Sequence, residues 1–164
     1  MTHTFNAPWG KALLIMTLLA SILLLGMPLF ALLKDFGQAA PRYILIGIPL
    51  IIYIPCLFFI IRGYEVSDKI LYVQRLVWKT KVDLQHLRDV TVNPDAMKKS
   101  IRTFGNGGLF SFSGWFKNST LGSYRAFATD LKNSVVLQFT DRTIVVTPDR
   151  PNEFSELLKN ITSA

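Results

Sequence analysis

ALLIMTLLASILLLGMPLFALL, residues 12–33, and YILIGIPLIIYIPCLFFII, residues 43–61, decide how this chain is read. Neither run contains a charged side chain. A helix crosses a hydrocarbon core about 30 Å thick with roughly 20 apolar residues, and both runs have that length. Only a short polar gap, Lys34 to Arg42, separates them. The expectation is a transmembrane helical hairpin over residues 12–61. A polar N-terminal arm, 1–11, precedes it, and a second domain, 62–164, follows. The first run is too long for the apolar region of a secretory signal, and a second run follows it. Pro28, Pro49 and Pro55 interrupt the spans, which membrane helices tolerate where neighbours satisfy the freed carbonyls. Thr17 and Ser21 offer a small-residue face for close helix approach near Gly47. Trp9 suits an anchor at headgroup depth. Neither span carries an Asp, Glu, Lys, Arg or His, which counts against a proton or ion path.

Orientation follows from the basic residues at the span ends. Lys11 precedes the first span, and Arg62, Lys69, Arg75, Lys79 and Lys81 follow the second. The gap holds only Lys34 and Arg42. The positive-inside rule therefore places both termini and the second domain in the cytoplasm. The gap becomes a short outer loop that turns on Asp35, Gly37 and Pro41.

Composition sets further bounds. Half of the 164 residues are hydrophobic and the net charge is +7. From residue 63 onward, eight Lys and six Arg face seven Asp and three Glu. That mild excess suits a domain near anionic headgroups and is too weak to argue for nucleic acid. Cys56 is the only cysteine, so neither an intrachain disulfide nor a cysteine-based zinc cage is available. His3 and His86 have no nucleophile or metal-ligand spacing beside them, so neither a catalytic residue, a metal site nor a cofactor is expected.

After residue 61 the apolar period shortens from helical to alternating. Seven strands are expected: Tyr64–Val66, Ile70–Arg75, Trp78–Asp83, Asp89–Asn93, Ser123–Thr129, Ser134–Thr140 and Thr143–Thr147. Thr140-Asp141-Arg142 reads as a tight turn. Phe154, Leu157, Leu158 and Ile161 fall at helical spacing, with Asn152 or Asp149 as the cap. A bent antiparallel barrel of seven strands, plugged by a C-terminal α-helix, accounts for that order.

The stretch Ala96–Thr129 reads as largely irregular. It has no acidic residue but carries Lys98, Lys99, Arg102, Lys117 and Arg125 among seven aromatics. Gly105, Gly107 and Gly108 mark a structural glycine loop. Three readings stay open here: aromatics folded back onto the barrel, contact with the membrane, or a protein-binding edge. The residues expected to touch lipid or partner are Arg102, Phe110, Trp115, Phe116, Lys117 and Arg125. Lys69, Lys79 and Lys81 read as scattered surface lysines. The glycine run lacks the Lys-Ser/Thr of a phosphate loop.

The run Phe104-Gly105-Asn106-Gly107-Gly108-Leu109-Phe110, with Gly114-Trp115-Phe116, Leu121-Gly122 and Tyr124, resembles the signature of a bacterial PH-like (pleckstrin-homology-like) domain family found in small membrane proteins. Thr147-Pro148-Asp149-Arg150-Pro151-Asn152-Glu153-Phe154 resembles it too. The likeness covers about residues 64–161. It implies the PH fold and assigns no catalytic residue. The functional expectation is a non-enzymatic interaction module anchored at the cytoplasmic face of a bacterial inner membrane, scaffolding or oligomerising there. The alternatives are anionic-lipid binding through 98–125 and an accessory role in a larger membrane complex. The expected partners are the bilayer, its anionic headgroups, a second copy or another membrane protein.

Overall fold

A computed structural model describes residues 2–34, 36–37 and 39–163. The apolar runs form α1 (Lys11–Leu33) and α2 (Ala39–Phe58), packed side by side. Both are long and apolar enough to cross a membrane. Only 17% of the apolar window of α1 is buried, and 6% of that of α2. The core helix of a soluble protein would hide such a surface. Pro41 falls in the first turn of α2, where its missing N–H costs nothing, and not in the connecting turn. Asp35 lies outside the described residues. Ser21 Oγ and the Tyr53 hydroxyl hydrogen-bond across the pair at 3.2 Å. A Cβ added to Gly47 would meet no heavy atom within 4 Å, so no tight approach is made there.

α2 ends earlier than the apolar run, and the buried Ile61 opens β2 (Ile61–Ser67). β2, β3 (Ile70–Arg75) and β4 (Lys79–Asp83) form an antiparallel meander. The N-terminal arm is no loose lead-in: its β1 (His3–Asn6) pairs antiparallel with β2 and places His3 opposite Val66. Phe5 then meets Phe154 edge-on at 5.1 Å between ring centres.

The second sheet has the order β5 (Leu87–Val92), β9 (Val135–Phe139), β10 (Thr143–Val146), β8 (Gly122–Ala128), β7 (Phe112–Asn118), β6 (Ile101–Gly107). The expected seven-strand antiparallel barrel is therefore corrected to two sheets of four and six strands. One pair, β8 with β10, is parallel. Much of Ala96–Thr129 is a regular β6–β7–β8 meander and not an irregular loop. Its glycines hide it. Gly105 and Gly114 face each other across β6 and β7 at φ 102° and 147°. A Cβ on Gly114 would stand 2.2 Å from the Phe104 carbonyl oxygen. Strand alternation is lost where two glycines are required to let backbones approach, and a bulge between Arg102 and Phe104 shifts the register further.

The core lies between the sheets and under α3 (Pro151–Ser163), whose Phe154 and Leu158 are fully buried. Each such side chain contributes about 1.5–3 kcal/mol by leaving water. Pro151 opens α3 at the first helical position, where proline is pre-shaped for it. Asp149 does not cap α3 with its side chain. Its carboxylate instead accepts from Asn6 N and Nδ2, both at 3.2 Å, tying β1 down. Tyr64 joins the sheets: its hydroxyl donates to the Phe127 carbonyl at 2.6 Å and accepts from Thr147 N at 3.1 Å. Burial pushes its pKa up to about 12. A second cluster covers the other face of the six-stranded sheet with Leu13, Ala96, Met97, Phe112, Phe116 and Tyr124.

Candidate functional site

Three elements meet at the foot of α2. The first is the β6–β7 turn. Thr17, inside α1, donates to the Gly108 carbonyl at 3.1 Å and accepts from Phe110 N at 3.0 Å. At about 1.5 Å per residue, Thr17 stands about 9 Å along the helix from Lys11. Thr17 thus serves the loop and not the α1–α2 contact. Gly108, φ 127°, lies against Met16, and a side chain there would collide with it at 2.9 Å. Phe110 is buried between Tyr53 of α2 and Trp9, with ring centres at 5.4 and 6.2 Å. Trp9 is half-buried against the second core cluster. Asn106 closes the turn by accepting from Leu109 N at 3.0 Å.

The second element is the last turn of α2. The Phe59 carbonyl just beyond it accepts from Ser111 Oγ at 3.0 Å and Arg75 Nη1 at 3.1 Å. Arg75 is the candidate-site residue that sequence reasoning misses, since a strand-end arginine counts there only as an orientation charge. It is 7% exposed. It also donates to Thr80 Oγ1 at 3.1 Å and Ser113 Oγ at 2.8 Å, and stacks against Phe59, Trp78 and Phe127. Burial, then the nearby Arg125 charge, lowers its pKa to about 10.

The third element is the face of β7 and β8 that carries Ser113, Trp115, Arg125 and Phe127. Arg125 sits opposite Trp115 and stacks on the Phe127 ring at 4.8 Å. Arg102, from β6, covers Gly107, where a Cβ would meet its guanidinium at 2.9 Å.

These groups line a half-open cavity of about 510 Å³. Arg75, Arg102 and Arg125 line it, together with Trp115 and, from the α2 side, Ile52, Pro55 and Phe59. Of the expected contact residues, Arg102, Trp115 and Arg125 converge here. Phe110 is buried in the turn, and Phe116 is 5% exposed, stacked on Tyr124. Lys117 is exposed on β7 but does not line the cavity. Among the described residues, no cluster of three His, Cys, Asp or Glu side chains is placed to hold a metal ion.

Two packed sheets closed by a C-terminal helix make this a PH-like domain. Residues 62–161 match the bacterial PH domain family, and the chain belongs to it. No curated protein and no solved structure matches the chain.

Proposed function

We propose that the chain is a non-enzymatic PH-like interaction module, anchored by a two-helix membrane hairpin at the cytoplasmic face of a bacterial inner membrane. One observation carries this reading. Outside the two helices, the large exposed apolar side chains among the described residues are Phe59, Leu76, Val77, Trp78, Ile101, Phe104 and Trp115. Phe59 follows α2 and meets Trp78 edge-on at 5.4 Å. Phe104 and Trp115 line the cavity beside Phe59. Of these, Phe59, Trp78, Phe104 and Trp115 stand at the foot of the apolar hairpin, which is what a domain resting on a bilayer would present. Alkaline carbonate treatment of membranes tests it. Retention of the full chain in the pellet is expected, and release into the supernatant would end the membrane reading.

Scaffolding or self-assembly would use the outer surface or the sheet edges. Edge β4 carries Lys79 and Lys81, and edge β6 carries the bulge and Gly105, devices that oppose strand addition. A second reading has its own support: contact with anionic lipid through 98–125. It draws on Arg102, Trp115 and Arg125 standing together at the same foot of α2.

A further inference from the structure

Arg75 is a buried cation with neutral partners. Its acceptors are two hydroxyls and one carbonyl. Among the described residues no carboxylate comes within ion-pair distance of Arg75, Arg102 or Arg125. The carboxyl end of α2 offers about half a negative charge through its dipole. Against it stand three guanidinium groups around one cavity. Of the three only Arg75 is buried, and neutral groups satisfy its hydrogen bonds without neutralising its charge. Buried charges are ordinarily paired, and an anion would supply that counter-charge. Guanidinium groups suit a phosphate, because their planar N–H pairs match its oxygens.

The opposite wall says what the phosphate is attached to. Ile52 and Pro55 are exposed on an apolar helix of which only 6% of the apolar window is buried. A bare phosphate would leave that wall without a partner. We infer that the cavity holds one anionic phospholipid, with its phosphodiester among Arg75, Arg102 and Arg125 and an acyl chain running along α2 past Pro55 and Ile52. Phe59 and Trp115 flank the headgroup. The cavity takes a headgroup, while the tails stay on the helix. The inference rests on the lipid-contact reading above and adds a single saturable site and the role of Arg75. General surface attraction would instead be graded, at about 1 kcal/mol per cation, with no fixed stoichiometry.

The test uses the full chain in mild detergent. It is titrated with phosphatidylglycerol, phosphatidylcholine or inorganic phosphate, and native mass spectrometry counts the bound molecules. One phosphatidylglycerol should be retained, about tenfold more tightly than phosphatidylcholine, whose choline cancels the charge. The R102Q/R125Q double variant should weaken retention by about tenfold or more. R75Q should do the same. Arg75 is buried, so the double variant, at exposed positions, decides the matter should R75Q fail to fold. Equal retention of the two lipids, or no loss in the double variant, overturns the site. Displacement of the lipid by millimolar inorganic phosphate overturns the lipid assignment. Carbonate washing separates the two levels. A chain that stays in the membrane yet holds both lipids alike loses only the site, whereas a chain washed off loses the membrane reading beneath it.

Discussion

Two hydroxyls show most directly how single residues hold this molecule together. Tyr64 is fully buried, and its hydroxyl both donates to Phe127 and accepts from Thr147. Y64F strands those two backbone groups and should cost about 1–3 kcal/mol in a denaturant titration. The folded state holds the Tyr64 proton more tightly than the ordinary value of 10, up to about 12. Its stabilisation is therefore complete below pH 10 and is lost as pH rises through 12. Alkaline destabilisation in that window should be shallower in Y64F than in the wild type. Thr17 is the other case. T17V keeps the shape but removes both bonds to the β6–β7 turn. The amide of Phe110 should exchange with deuterium at least about tenfold faster, and unchanged exchange would show that packing alone holds the turn. Thr17 is legible as a small polar residue in an apolar helix, but its partners lie 91 and 93 residues away, beyond any local pattern. Arg75 is equally hidden. As a strand-end arginine it looks like a solvated charge, and only the fold buries it under Phe59.

Legibility of the elements tracks how local their signal is. The two helices are plain from long uncharged apolar runs, and α3 from its apolar spacing. The Thr140–Arg142 turn is where it is expected, with Phe139 N bonded to the Arg142 carbonyl at 2.8 Å. β6 and β7 escape a sequence reading because glycine carries no alternation signal. G114A should test that explanation. The new Cβ meets backbone at 2.2 Å and φ is 147°, so a cost of about 3 kcal/mol is expected in the same titration. β1 escapes it because a four-residue strand with one buried side chain, Phe5, leaves almost no pattern. F5A empties the space against Phe154 and Tyr64 and should cost about 3–5 kcal/mol. A loss under about 1 kcal/mol would mean that β1 is only draped on the sheet.

For the whole molecule the decisive fact is where the chain enters and leaves the helix pair. β1 precedes α1, β2 follows α2, and the two pair in one sheet. If α1 and α2 cross a bilayer, the N-terminal arm and the PH-like domain must share one face of it. The start of α1 adds to this: Gly10 N donates to the Thr129 carbonyl at 3.1 Å, and a Cβ on Gly10 would strike Asp130. The domain is thus fastened to both ends of the hairpin and through Thr17 to its side. Such fastening suits a module held at a fixed height against headgroups, and not one swinging on a linker.

Thiol labelling in spheroplasts tests that account most directly. On a C56S background, A40C marks the first turn of α2, at its end next to the connection between the helices, and S119C the β7–β8 turn, both at exposed positions. A membrane-impermeant maleimide should label A40C in intact spheroplasts and S119C only after permeabilisation. Labelling of S119C without permeabilisation, or equal labelling of both sites, would contradict the account.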